Sequence, residues 1–149
     1  MRRLLGVMIF VLAAGLFAQQ PALEEGRSRF RAVDIYVDSK GTPLAAYQLE
    51  FYATNGVAKI VGIEGGEHAA FREAPFYDPK AIQHERAIIA AFSMASSDKL
   101  PTGKTRVVTI HIQVIGAEEP RFELKLQTAG GVNGRRISVE ASLEERKAK

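Results

Sequence analysis

Residues 121–129 read RFELKLQTA, and their alternation decides the fold class. Phe122, Leu124, Leu126 and Thr128 fall on one side; Arg121, Glu123, Lys125 and Gln127 fall on the other. Successive strand side chains point to opposite faces, so strict period two describes a strand with one face on a core and one in water. The spacing recurs upstream at Val108, Ile110, Ile112 and Val114, and downstream at Ile137, Val139, Ala141 and Leu143. A mostly antiparallel β domain is expected.

Further strands read outward from these. Residues 30–38 give a first strand with Val33, Ile35 and Val37 inward and Asp34, Tyr36 and Asp38 outward. A Ser-Lys-Gly-Thr-Pro turn at 39–43 leads to a second strand over 44–54, where Tyr47, Leu49 and Phe51 alternate with Gln48, Glu50 and Tyr52. Asn55-Gly56 is a tight-turn signal, and a third strand over 57–64 is closed by Gly65-Gly66. Residues 67–85 break the rhythm, because Pro75 and Pro79 exclude an unbroken helix or central strand. A long loop is expected there, with one helical turn at 79–84, with Phe71 and Phe76 packed on the domain and with Tyr77 and Asp78 as its exposed tip. Residues 86–94, RAIIAAFSM, read as a buried strand. A polar loop over 95–104, a long strand over 105–115, the turn at 130–134 and a closing strand over 136–143 complete the chain, before a charged tail at 144–149. Strands spaced by Gly, Pro and Asn turns, with no long helix, predict an all-β, two-sheet antiparallel β-sandwich of about eight or nine strands. A closed barrel is the alternative.

The N-terminus reads as a targeting segment. Arg2 and Arg3 precede an uncharged apolar run over 4–18, which Gln19, Gln20 and Pro21 interrupt. The run is short for a bilayer span, which needs roughly 20 residues, and suits a secretory signal cleaved after Ala18. An uncleaved anchor is the alternative. Cleavage leaves about 130 residues, one domain's worth, with a polar spacer at 19–29 and the domain over 30–143. It also removes two positive charges from a formal net charge of +3. No basic stripe with interleaved aromatics appears, so nucleic acid is not an expected partner. An exported chain with no cysteine has no disulfides and relies on its apolar core.

Few residues carry a chemical signature. His68, His84 and His111 match no compact zinc spacing, and Asp34, Asp38 and Asp78 form no calcium loop, so neither a metal nor another cofactor is expected. There is no G-x-S-x-G elbow. A hydrolase would have to draw its carboxylate pair from Glu50, Glu64, Glu73, Glu123 and Glu140, among which nothing singles out two. Exposed aromatics can stack on sugars or anchor a protein. Tyr36, Tyr52 and Tyr77 are the candidates; tryptophan, the usual flat sugar platform, is absent.

The order of segments resembles the cohesin-like modules of the bacterial carbohydrate-binding sandwich group. The V-D-x-x-x-D strand at 33–38 precedes A-x-Y-x-L-x-F at 45–51, then the strand at 57–63 with its Gly-Gly turn. The loop holding Phe76 and Pro79 precedes a strand at 87–93 similar to I-x-V-x-F-S, and Leu-Pro-x-Gly at 100–103 enters the long strand. The resemblance implies a jelly-roll-like sandwich over residues 30–143, and a sheet face that grips a partner. It further implies that the strands at 44–54, 86–94 and 121–129 share that sheet. With Ile88, Ala90 and Phe92 inward, the face carries Tyr52, Ile89 and Ala91 as an apolar centre, rimmed by Glu50, Lys125 and Gln127. The opposite phase buries Ile89 and leaves Tyr36 and the loop tip Tyr77–Asp78 as contacts. The expected function is non-catalytic recognition by an exported module, of a protein partner first and of a glycan as the alternative, with a glycan-active hydrolase using an unrecognised carboxylate pair as the second alternative.

Overall fold

In a computed structural model that describes residues 27–146, the chain folds into eight strands: β1 (Ser28–Asp38), β2 (Ala46–Ala53), β3 (Val57–Gly65), β4 (Phe76–Tyr77), β5 (Arg86–Phe92), β6 (Lys104–Ile115), β7 (Phe122–Gly130) and β8 (Glu140–Glu145). A single helical turn, α1 (Pro79–Ile82), lies between β4 and β5. The strands form two four-stranded antiparallel sheets, ordered β3-β6-β1-β8 and β4-β5-β2-β7. The chain is an all-β two-sheet sandwich. The signal peptide read over 1–18, positions 19–26 of the spacer and positions 147–149 of the tail lie outside the described residues.

Alternation builds the core. Val33, Ile35 and Val37 of β1 and Val108, Ile110, Ile112 and Val114 of β6 are buried against Tyr47, Leu49 and Phe51 of β2 and Ala87 and Ile89 of β5. Each fully buried apolar side chain of this size contributes about 1.5–3 kcal/mol. The β1–β6 register shifts between Ile35 and Tyr36, which opposes two residues to one and buries Val107 beside Val108. The bulge carbonyl of Val107 accepts a hydrogen bond from the Tyr47 hydroxyl at 3.1 Å, reaching across the core from the other sheet. Burial pushes the Tyr47 phenol up, so it stays a neutral donor. Tyr47→Phe is expected to leave that carbonyl without its partner and to lower stability by about 1–2 kcal/mol, read as a shifted urea midpoint at constant slope.

Several strands depart from the sequence expectation. The phase of β5 is the reverse of the one read first: Ala87, Ile89 and Ala91 face β2's Phe51, Leu49 and Tyr47, and Ile88, Ala90 and Phe92 face outward. In β7 a register shift opposite Gln48 and Leu49 turns Thr128 outward and buries Ala129. The closing strand is split between the sheets. Arg136 bridges to Gly130 and the Ile137 N–H donates to the Ala129 carbonyl, alongside β7; β8 then pairs with β1. The spacer and tail are also shorter than read, because Ser28 and Arg29 belong to β1 and Glu144 and Glu145 to β8.

The long loop is structured. The 3₁₀ turn Ala69–Phe71 drives the Phe71 ring edge-on against Tyr47 at 5.3 Å, as expected. Gly65 and Gly66, read as a turn, are sites of close approach: a Cβ on Gly65 would overlap the Arg72 carbonyl, and one on Gly66 the Arg106 carbonyl. Asp78 caps α1, accepting from the Lys80 N–H at 2.9 Å, with Pro79 at the first helical position.

On the outer face of the β3-β6-β1-β8 sheet, Asp34 was expected in water but is buried. It accepts from Thr109 Oγ1 at 2.6 Å and from Arg146 Nε and Nη2 at 2.7 and 2.8 Å. Burial alone would raise its pKa, but the hydrogen bonds of Arg146 and Thr109 and the charges of Arg146 and Arg106 outweigh that and hold it below the ordinary 3.8. A depressed carboxylate stabilises the fold above its unfolded pKa, and the contribution is lost as pH falls through the folded value. Thermal melts should therefore lose midpoint as pH drops below 3.8, and Asp34→Asn should flatten that part of the profile while lowering stability at neutral pH.

Candidate recognition face

The sheet β4-β5-β2-β7 turns Ile88, Ala90 and Phe92 of β5 outward beside Gln48, Glu50 and Tyr52 of β2. On β4, Phe76 stands opposite Ala90 and so shares this face. Phe76 and Phe92 are 71% and 63% exposed, and Met94, just past β5, is 90% exposed. The two rings lie parallel, 6.2 Å apart with an interplanar angle of 9°. Three large apolar side chains in one patch of water-facing surface mark an interaction site more often than chance exposure.

Phe92 is the common wall of three depressions. One, of about 500 Å³, lies beside the Phe76–Phe92 pair over Ala46 and Ala90, with Thr128 and Arg136 at its rim. A second, also about 500 Å³, runs between the Phe76–Phe92–Met94 ridge and Ala69, Ala74 and Pro75. A third, of about 400 Å³, separates Met94 from Val132 and Asn133. Ridges between hollows suit interlocking with a partner's side chains.

The backbone adds an open edge. β5 pairs with β2 along its whole length, but on its other side β4 covers Ile89 and Ala90 and the Asp78 N–H donates to the Ile88 carbonyl at 3.0 Å, which leaves the Phe92 end uncovered. The Ser93 N–H turns toward β2, donating to the Ala45 carbonyl at 2.7 Å. By the alternation of an antiparallel ladder, the Phe92 N–H and C=O therefore face away from β2, past the end of β4.

The other half of the face is polar and satisfied within itself. Glu50 lies 3.2 Å from Arg86 and accepts from Gln127 Nε2 at 3.2 Å. The Tyr52 hydroxyl donates to Glu123 at 2.7 Å, and that hydrogen bond is the main reason its pKa is raised. Lys125 stands opposite Glu50 in register. The face is thus a polar lattice at the Arg86 end of β5 and an apolar ridge at its Phe92 end.

Tyr52, Glu50, Lys125 and Gln127 share one outward face, as expected from the sequence. Ile89 and Ala91 do not: Ile89 is 1% exposed and Ala91 half-buried on the inner side, so the apolar centre assigned to them is wrong. The apolar centre lies instead at Phe92, assigned to the core, and Phe76, assigned to loop packing. RAIIAAF is apolar at every position but Arg86 and carries no phase of its own; the signal that could have found the ridge is Phe92 itself, next to polar Ser93 and exposed Met94. Tyr36 belongs to the other sheet, where Lys104 sits 4.7 Å over its ring. Tyr77 is exposed on β4, and Asp78 is occupied as a helix cap. Tyr36 and Tyr77 therefore lie on different sheets and form no joint site.

Among the described residues no group of three or more His, Cys, Asp or Glu side chains is placed to hold a metal ion, and no helix is long and apolar enough to cross a membrane. His111 pairs with Glu64 at 3.0 Å. Of the hydrolase carboxylates, Glu64 and Glu140 sit on one sheet and Glu50 and Glu123 on the other. Comparisons with protein families, with curated proteins and with solved structures find no match for this chain.

Proposed function

We propose that this chain is a non-catalytic, exported recognition module that grips a protein partner through the outer face of β4, β5, β2 and β7. The reading joins three strands of evidence: the signal-like start at residues 2–18, the resemblance of the segment order to cohesin-like modules, and the apolar ridge. The observation that carries it is the exposed parallel pair Phe76 and Phe92, with Met94 beside them, on a surface where water-facing rings serve no core. Phe76 and Phe92 form the anchor, and Glu50, Lys125 and Gln127 lie on the polar flank. Apolar anchors inside a polar surround are the usual build of a specific protein interface.

Glycan recognition is the second reading, favoured by the parallel rings, since a sugar stacks on an exposed aromatic face. One paired experiment separates the two. The purified domain and its Phe76→Ala/Phe92→Ala double variant are run on a glycan array and used to capture exported proteins of the source cells. Capture of one protein species by the native domain alone supports protein binding; array signal lost in the double variant, without capture, transfers the face to glycans. Identical behaviour of both forms in both assays removes the ridge from function.

A further inference from the structure

β7 forms an outer edge of its sheet, and most of that edge carries no partner strand. The Thr54 N–H donates to the Arg121 carbonyl at 2.9 Å, so Arg121, and by alternation Glu123 and Lys125, turn their backbone groups toward β2. Phe122, Leu124 and Leu126 therefore aim theirs away from the sheet. Among the described residues, backbone partners on that side come only later, where Arg136 and Ile137 meet Gly130 and Ala129. The Phe122, Leu124 and Leu126 side chains are half-buried, on a core side that the edge leaves partly open to water.

A row of unpaired N–H and C=O groups is a template for another strand, and proteins commonly blunt such edges with bulges or lysines. β3, the long edge of the other sheet, is interrupted by a register shift between Ile60 and Gly62. The shift in β7 falls opposite Gln48 and Leu49, beyond Leu126, and leaves 122–126 regular. What guards that run is charge. Glu123 and Lys125 are exposed on either side of Leu124, and Glu50, opposite Lys125 on β2, pairs with Arg86 instead.

We infer that two copies of this chain join β7 to β7, antiparallel about a two-fold axis at Leu124, fusing two four-stranded sheets into one of eight. Edge-facing residues must meet edge-facing residues, so the axis has to pass through a residue, and positions equidistant from it then stand opposite. Through Leu124 it sets Glu123 of each copy against Lys125 of the other, with Phe122 against Leu126 on the core side. Through Glu123 it would oppose Glu123 to itself and Arg121 to Lys125; through Lys125 it would oppose Lys125 to itself. An axis at Phe122 would set Pro120, which has no N–H, against Leu124, and one at Leu126 would run the ladder into the bulge. Backbone direction and charge thus select one register, and a shift of one residue either way turns attraction into repulsion. The joint does not rest on the Phe76–Phe92 ridge, since β4 and β5 lie toward the far edge of the sheet.

Sedimentation at low salt and rising concentration tests this with charge-swapped variants. The native domain should pass from monomer to dimer. Glu123→Lys and Lys125→Glu each place like charges opposite at both contacts and should weaken the dimer by about tenfold or more. Mixed together, the two variants should recover it as a heterodimer, because each then meets the opposite charge on the other. In the native dimer the amides of Phe122, Leu124 and Leu126 should exchange more slowly as concentration rises, while those of Glu123 and Lys125, already bonded to β2, stay unchanged. A native domain that remains monomeric at millimolar concentration overturns the proposal. So does a dimer that both single variants form as tightly, or a mixture of the two that fails to recover it. Dimerisation lost in the Phe76→Ala/Phe92→Ala variant, with the edge amides unprotected, also overturns it and moves the contact to the ridge.

Discussion

Phe92→Asp is expected to abolish partner capture while the domain stays folded. Phe92 is 63% exposed and supports no core contact that a charge would break, so the melting temperature should move by no more than a surface substitution does, within about 0.5 kcal/mol. In a complex the same ring would lie at the junction of three hollows, stacked on Phe76, and its burial would contribute about 1.5–3 kcal/mol. Replacing it with a carboxylate adds the cost of burying an unpaired charge, so affinity should fall by at least about 30-fold, or 2 kcal/mol. Titration of the captured partner against native and variant domain, with circular dichroism on both, checks this. Undiminished affinity in a folded variant would show that the ridge is not the anchor.

Ile89→Asp should behave in the opposite way and unfold the protein outright. Ile89 is 1% exposed, and opposes Leu49 across the β2–β5 ladder within the core. A carboxylate there has no partner, and domains of ordinary stability, about 5–15 kcal/mol, seldom survive such a burial together with the lost packing. The milder Ile89→Ala should leave a folded protein with an expected loss of about 2–5 kcal/mol from lost transfer energy and the cavity left behind. Denaturant titration of that variant gives the number directly. A loss below the cost of a surface substitution would mean that β5 presents its other face to the core.

The contrast between these two residues marks where the sequence could be read and where it could not. RFELKLQTA carries its own phase, because Arg121, Glu123, Lys125 and Gln127 put a polar side chain at every second position, and Phe122, Leu124 and Leu126 face the core side of β7 as expected. RAIIAAF is apolar on both faces, so its phase is set by the register with β2, a long-range fact that no local pattern holds. The same limit applies to Thr128, displaced by a bulge, and to the closing strand, which changes sheets at Glu140. That β2, β5 and β7 share a sheet was expected only through the resemblance; the outward phases of Glu50, Tyr52, Lys125 and Gln127 were legible in the residues, and the exposure of Phe76 and Phe92 was not. Asp34 and Arg146 show a second limit. One was read as a solvated strand aspartate and the other as part of a loose tail, and 112 residues separate the two halves of one ion pair.

Binding through the Phe76–Phe92–Met94 ridge should leave a side-chain footprint on the domain. Hydroxyl radicals label exposed Phe and Met, and the chain carries an internal control in Phe30, 70% exposed on the other sheet. Free domain and domain saturated with its captured partner are labelled in parallel and read by mass spectrometry. The expected result is strong protection of Phe76, Phe92 and Met94 with unchanged labelling of Phe30. Protection of Phe30 with the ridge still fully labelled would rule out binding through the ridge and move the binding face to the opposite sheet.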